Sequence, residues 1–322
     1  MQVLVTGGAG FIGSHLVEAL VRRGNRVRVL DNLSEGKLRN LAAVSRRIEF
    51  IRGDVRDERA IRKAVKGVKL VFHQAALRSV PKSVGKPLEY HEVNATGTLL
   101  LLRLACEAGV RRVVYASSSS VYGDHTPLPQ SEALHPKPQS PYAASKLASE
   151  IYAGMITRLY GLETVGLRYF NVFGPRQSLE NQYAVVVPRF ITSLLRGEPP
   201  PIHGDGGQTR DFTYVGNVVQ ANLRAASAPK GKVTAQVFNI ANGRRHSVLE
   251  LAQSLNKITH IPIQPIFLKK RPGDVLHTWA DIRKAKRLLE YRVQFSFEEG
   301  LRRTADWFTK HPEFFGKKSG PP

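Results

Sequence analysis

The chain has 322 residues, 42% of them hydrophobic, and 48 Lys and Arg stand against 26 Asp and Glu for a net charge of +22. That length holds two domains, or one large α/β domain with a smaller lobe, and it suffices for a buried core. The single cysteine, Cys106, excludes an intramolecular disulfide, and no apolar stretch approaches the ~18 residues of a membrane span. The basic residues are scattered in short clusters such as Arg22-Arg23 and Lys269-Lys270-Arg271, with no zinc-finger or RNP spacing. The charge therefore reads as a solvated surface that favours anionic substrates rather than as a nucleic-acid footprint. No signal-peptide pattern opens the sequence, so the cytoplasm is the expected compartment. No metal site is expected.

In chain order, Gln2 to Thr6 reads as a strand, followed by Gly7-Gly8-Ala9-Gly10-Phe11-Ile12-Gly13 and an amphipathic helix from Ser14 to Arg23. Arg26 to Leu30 is a second strand closing on Asp31, 18 residues past Gly13. Strand, glycine turn, helix, strand and acid are the context that a dinucleotide fingerprint requires. Glycines let the backbone approach a pyrophosphate at the helix N-terminus, and an acid at Asp31 bonds a ribose while repelling a 2′-phosphate. NAD is expected rather than NADP, with Gly7, Gly10, Phe11, Ile12, Gly13, Asp31 and Asn32 at the cofactor. Ile48 to Ile51 is a third strand leading to Gly53-Asp54-Val55, where Asp54 either bonds the adenine amine with Val55 beside it or caps the helix predicted for Asp57 to Val65. Lys69 to Phe72 is a fourth strand. Small residues at Ala75 and Ala76 would let a cofactor lie against the sheet, and His73 reads as a satisfied core histidine. A long helix is predicted from Leu88 to Ala108, with Cys106 on its buried face.

Val113 to Ala116 is a fifth strand, and four serines, Ser117 to Ser120, follow it. Beyond a proline-rich loop, Pro141-Tyr142-Ala143-Ala144-Ser145-Lys146 starts a helix, with Pro141 at home in the first turn and Tyr142 and Lys146 on one face. A phenol with a reference pKa near ~10 needs a neighbouring cation to act as a base at neutral pH, and Lys146 can supply one. The same spacing occurs on helices with a solvated lysine, so it decides nothing alone. Strands and helices alternate to about residue 167, which implies a doubly wound parallel sheet with ligand at the strand C-terminal ends. After residue 172 elements shorten and prolines multiply. A cofactor domain is expected over 1–172, a smaller α/β substrate lobe mainly over 173–312 and a loose tail over 313–322, with 209–240 rejoining the sheet.

Taken together, the glycine turn, Ala75 to Pro81, Ser117 to Gly123, Tyr142 to Lys146, Leu167 to Asn171, Gly204 to Phe212 and Arg271-Pro272-Gly273-Asp274 resemble the extended short-chain dehydrogenase/reductases. Within them the chain is most similar to the nucleotide-sugar 4-epimerases acting on UDP-N-acetylglucosamine and UDP-glucose. The resemblance implies a Rossmann fold, bound NAD, a UDP-sugar substrate and a homodimer. It implies Tyr142 as the base at the sugar O4, Lys146 as the group that lowers its pKa and holds the nicotinamide ribose, and Ser118 as a second partner of O4. Ser119 and Ser120 would line the same pocket, with Val187 among the substrate contacts. Arg78 would meet the NAD phosphates, and Asn94 and Phe170 would flank the cofactor. Asn171, Arg210 and Arg271 would grip the substrate diphosphate and Asp274 its ribose; arginine forks suit phosphate oxygens. Thr278 would gate the sugar C2 substituent, a place held by tyrosine in glucose-restricted relatives and by cysteine or serine where N-acetyl sugars enter.

Related dehydratases and decarboxylases carry a carboxylate after the first serines, because elimination or decarboxylation needs further acid–base groups. Here those places are Ser119 and Ser120, which suffices for epimerisation through a 4-keto sugar. Two other readings stand beside it. One is a UDP-uronate 4-epimerase or another nucleotide-sugar member, with Arg176 meeting a carboxylate. The other is a non-enzymatic NAD- or RNA-binding member, against which the intact Ser118, Tyr142 and Lys146 set counts.

Overall fold

A computed structural model describes residues 1–124, 127–179, 186–269 and 276–314. Among them, seven parallel strands form the central sheet: β1 (Gln2–Thr6), β2 (Arg26–Asp31), β3 (Ile48–Arg52), β4 (Leu70–His73), β5 (Arg112–Ser118), β6 (Glu163–Tyr169) and β7 (Gln236–Ile240). Their order is β7-β6-β5-β4-β1-β2-β3. In β1 the residues Val3, Leu4 and Val5 are wholly buried because both faces of the sheet are covered, which is why the strand reads as an unbroken apolar run. Val3 and Val5 pack towards Leu16 and Val17 of α1 (Phe11–Arg22), while Leu4 points to the opposite face beside Ile61 and Leu101. Helices α2 (Glu58–Val65), α3 (Gly97–Glu107) and α4 (Pro141–Tyr160) cover that second face.

The strand order reverses between β1 and β4, so the loops leaving the C-terminal ends of these two strands diverge and open a crevice there. A third apolar cluster lies beyond β6, built from α5 (Val186–Leu195), α7 (Val248–Thr259) and α8 (Phe297–Lys310) around Phe173, Phe212 and Tyr214. Between them α6 (Val215–Ser227) packs on α1 and on β5 and β6. Residues Thr209–Arg210 and Thr213–Tyr214 do not enter the main sheet. They pair with His246–Ser247 and with Val172–Phe173, which places the Arg210 segment beside the loop after β6.

The long helix predicted from Leu88 to Ala108 is broken. Pro87–His91 is followed by a π-helical turn at Glu92–Thr96 and only then by α3. The wider turn frees the Asn94 carbonyl, which accepts hydroxyl hydrogen bonds from Thr98 and Ser149 and so ties this turn to α4. Cys106 is only partly buried, at the edge of the second cluster, and burial still pushes its thiol up.

Candidate functional site

At the crevice a cavity of about 300 Å³ is lined by Gly7, Gly10, Phe11, Ile12, Gly13, Asp31, Asn32, Asp54, Val55, Ala75, Ala76, Arg78, Tyr142 and Lys146, among others. The glycine turn is tight. Gly7 has φ +67°, and a Cβ on it would lie 2.6 Å from the backbone nitrogen of Ala75. Helix α1 starts at Gly10 with no side-chain cap and no acid in its first turn, so its first amides stay available for an anion. Asp31 accepts from the backbone N–H of Ala9 at 2.9 Å and of Leu33 at 2.8 Å, and burial pushes its carboxyl up despite them. Asn32 donates to Asp54 at 2.8 Å, and Arg56 clamps Asp54 with backbone and guanidinium, holding that carboxyl down at about 2. The helix cap considered for Asp54 belongs instead to Asp57, whose side chain accepts from Arg59.

At the other end, Ser140 caps α4 and Pro141 occupies its first turn, which fixes Tyr142 and Lys146 one turn apart on the buried side. The Tyr142 phenol stands beside the Ser118 hydroxyl and lies edge-on to Tyr90. Its pKa is raised, because burial outweighs the hydrogen bond from Ser118 and the charge of Arg78. The expected depression by Lys146 is therefore corrected. Lys146 is itself buried, its ammonium donates to the Ala116 carbonyl at 2.9 Å, and loss of solvent brings it down to about 8.

The serine run turns into a 3₁₀ turn at Ser119–Tyr122, which Ser118 caps by accepting from the Ser120 N–H at 3.1 Å. Ser118 lies against Tyr142, whereas the serine on the cavity wall is Ser117, to which no role was given. Asn94 does not reach the cavity. It is buried and clamps Leu77 through both backbone groups, with a further bond to Ser145, so it holds the Ala75 to Arg78 wall from behind. Phe170 also faces away: it is wholly buried against Tyr122, and its neighbour Tyr169 lines the cavity instead, as strand alternation dictates. Val187 is packed in the third apolar cluster.

Asn171 and Thr278 meet directly, amide to hydroxyl at 2.9 Å, and the Thr278 N–H bonds Thr209 next to Arg210. Three of the residues expected at the substrate thus share one place, although 107 positions separate Asn171 from Thr278. Arg271 and Asp274 lie outside the described residues. Arg176, the candidate for a substrate carboxylate, lies on the cavity wall, where its guanidinium bonds Ser14 and pairs with Glu18 on α1. His73 is held between Thr6 and Thr98 hydroxyls and stays neutral, its pKa brought to about 3 by burial. Gln74 and Tyr169 on the wall are bonded to each other and to Asn222; Tyr169 stands in the Leu167 to Asn171 motif, whereas Gln74 carried no such signal.

A dinucleotide fits these surroundings. A Gly13 Cβ would lie 2.1 Å from the Gly7 carbonyl oxygen, so the turn brings bare backbone against the crevice, and uncapped amides, Asp31 and a buried lysine follow in order along it. Among the described residues no group of three or more His, Cys, Asp or Glu is placed to hold a metal ion.

Comparison with known proteins agrees with that fit. The model of the NAD dependent epimerase/dehydratase family matches residues 3–241. The UDP-glucose 4-epimerase of Mycolicibacterium smegmatis is 39% identical over 312 residues, covering 96% of this chain and 98% of that one. The structure of UDP-N-acetylglucosamine 4-epimerase from Methanobrevibacter ruminantium, in complex with UDP-N-acetylmuramic acid, superposes with a TM-score of 0.92 at 40% identity, over 96% of this chain and 98% of that one. UDP-glucuronic acid 4-epimerase from Bacillus cereus, in complex with UDP-glucuronic acid and NAD, gives a TM-score of 0.88 at 33% identity, over 96% of this chain and 99% of that one. A glycine turn that cradles a dinucleotide, a Tyr-x-x-x-Lys pair buried beside it and these full-length likenesses place the chain in the NAD dependent epimerase/dehydratase family, of the extended short-chain dehydrogenase/reductase type.

Proposed function

We propose that the protein interconverts the C4 epimers of a UDP-hexose through a transient 4-keto sugar, and that it accepts both UDP-N-acetylglucosamine and UDP-glucose. One observation carries this reading: Tyr142, beside Ser118 and one turn from Lys146, stands at the cavity, with serines rather than carboxylates at 119 and 120. Bound NAD supplies reversible hydride acceptance at the sugar C4. The chain supplies the proton chemistry: Tyr142 takes the O4 proton and returns it, and Ser118 orients the oxygen. Arg78 is the cation that acts on the phenol, and Lys146 stands one helical turn further along α4. Arg210 and Asn171 are proposed to hold the diphosphate with Arg271, leaving the 4-keto ring free to present its other face.

The C2 end of the site is proposed to be open because Thr278 is small and turned onto Asn171. Purified protein incubated with UDP-glucose and UDP-N-acetylglucosamine, without added NAD, is expected to give galacto anomeric protons from both sugars by NMR. Thr278→Tyr should cut turnover of the N-acetyl sugar by at least about tenfold and spare UDP-glucose, the scale on which a pocket wall discriminates small groups. Conversion of UDP-glucuronate alone would transfer the reading to the uronate 4-epimerases, a relative of which is 33% identical.

A homodimer is proposed on the same footing. Val84, Leu88 and Ile151 are each more than half exposed, on short helices that pack against α4 and on α4 itself. Light scattering should give twice the 35.8 kDa chain mass, and Leu88→Lys with Ile151→Lys should shift it to the monomer.

A further inference from the structure

Two turns of α4 carry more than the Tyr-x-x-x-Lys pair. Glu150 follows Lys146 at the next turn, faces the sheet, and has a side chain only 8% exposed. Its carboxylate accepts the Ser117 hydroxyl from the end of β5. It also accepts two guanidinium bonds from Arg168 on β6, at 2.9 and 2.7 Å, and that arginine side chain is 4% exposed. The guanidinium lies 4.7 Å over the Tyr122 ring, and the Tyr122 hydroxyl donates to Asn239 on β7. A buried ion pair thus anchors the strand end that carries Ser117 and Ser118 to the helix that carries Tyr142 and Lys146.

We propose that Glu150 is a positioning residue of this site: one helical turn from Lys146 and bonded to Ser117 and Arg168, its buried carboxylate faces the lysine and fixes the end of β5, with Arg168 as its anchor. The proposal rests on the functional reading above for what the charge is used for, not for the charge itself. Around Lys146 the groups are few. From its own helix come Tyr142 and Glu150, and from β4 the neutral His73; on the far side of Glu150 stands the Tyr115 phenol of β5, which burial holds protonated. Beyond Glu150 lie Arg168, Tyr122 and, from the segment after residue 282, Lys284. Glu150 is the anion in this set that acts on Lys146, and it opposes the desolvation that pulls the ammonium down. Removing a nearby anion lowers an ammonium pKa further, so the lysine would discharge within the working pH range.

The test reads Lys146 directly. In protein labelled with ¹³C-lysine, the Lys146 ε-carbon is assigned by its disappearance in Lys146→Gln and titrated by NMR in the protein as purified. Glu150→Gln should move its midpoint down by at least about one pH unit, a tenfold change in acid constant. The alkaline limb of the kcat profile should move by a similar amount, with turnover at pH 6 least affected. Glu150→Asp, which keeps the charge, should recover most of both. Should Glu150→Gln fail to fold because Arg168 is left bare, Glu150→Gln with Arg168→Gln removes both charges and should show the same fall. An unmoved Lys146 midpoint in either variant, or turnover reduced equally at every pH, would overturn the proposal. Absence of epimer from every UDP-sugar would instead sink the functional reading and leave the titration result standing.

Discussion

Replacing Tyr142 by phenylalanine is expected to lower kcat by about a thousandfold while the protein keeps its fold and its bound cofactor. The magnitude follows from the role: a positioned general base contributes roughly 10²–10⁴-fold, and the Tyr142 phenol has Ser118 and the charge of Arg78 beside it. Phenylalanine keeps the ring that lies edge-on to Tyr90, so packing is preserved. What goes is one buried hydroxyl and its contact with Ser118, worth about 1 kcal/mol, which a melting curve would register as a small shift. The glycine turn and Asp31, proposed to hold the cofactor, are untouched. The check is kcat by NMR of the sugar anomers together with NAD released on denaturation. Unchanged turnover would remove Tyr142 from the base role. The direction of the phenol's shift sharpens the expectation further. Burial raises its pKa, so the fraction ionised is small at neutral pH and wild-type turnover should climb as pH rises. That climb ends where Lys146, brought to about 8, loses its charge.

The cofactor half was legible because its elements state their burial in their composition. Val3-Leu4-Val5 and Val113-Val114-Tyr115 are continuous apolar runs, as strands covered on both faces must be, and the glycines stand where the chain turns between β1 and α1. Tyr142 and Lys146 were legible because a helix fixes their spacing. What escaped is what tertiary contact decides. The π-helical turn at Glu92–Thr96 depends on Ser149 of α4 taking the Asn94 carbonyl, which no local pattern announces. Asn94 and Phe170 stand in motifs, but a motif does not say whether a side chain faces the ligand or braces the wall behind it. The pairing of Arg176 escaped as well, because its partner, Glu18, lies 158 residues earlier. Glu150 could have been found: it continues the i, i+4 series from Tyr142 and Lys146, and an acid on the buried face of a helix wants a partner.

The other large effect is expected at Gly13. A methyl there would stand 2.1 Å from the Gly7 carbonyl oxygen, 2.8 Å from the Gly8 Cα and 2.9 Å from the Gly7 carbonyl carbon. Every one of these neighbours is backbone, so none can rotate aside; the turn between β1 and α1 must open. Opening it moves the amides that the crevice offers to a pyrophosphate and lifts Gly7 off Ala75, since a Cβ at Gly7 already has no room against that nitrogen. Gly13→Ala should therefore lose at least about 3 kcal/mol of stability, at or above the upper end for overpacking, and should be purified without NAD. Gly24→Ala is the contrast that separates conformation from crowding. Gly24 has φ +76° but nothing within 4 Å of its would-be Cβ, so only the strain of a left-handed residue applies, about 1 kcal/mol, and NAD should remain bound. Melting temperature and NAD released per chain, measured side by side, decide the matter. Equal NAD content in the two variants would mean that the tight approach of Gly13 to Gly7 is not what holds the cofactor turn in shape.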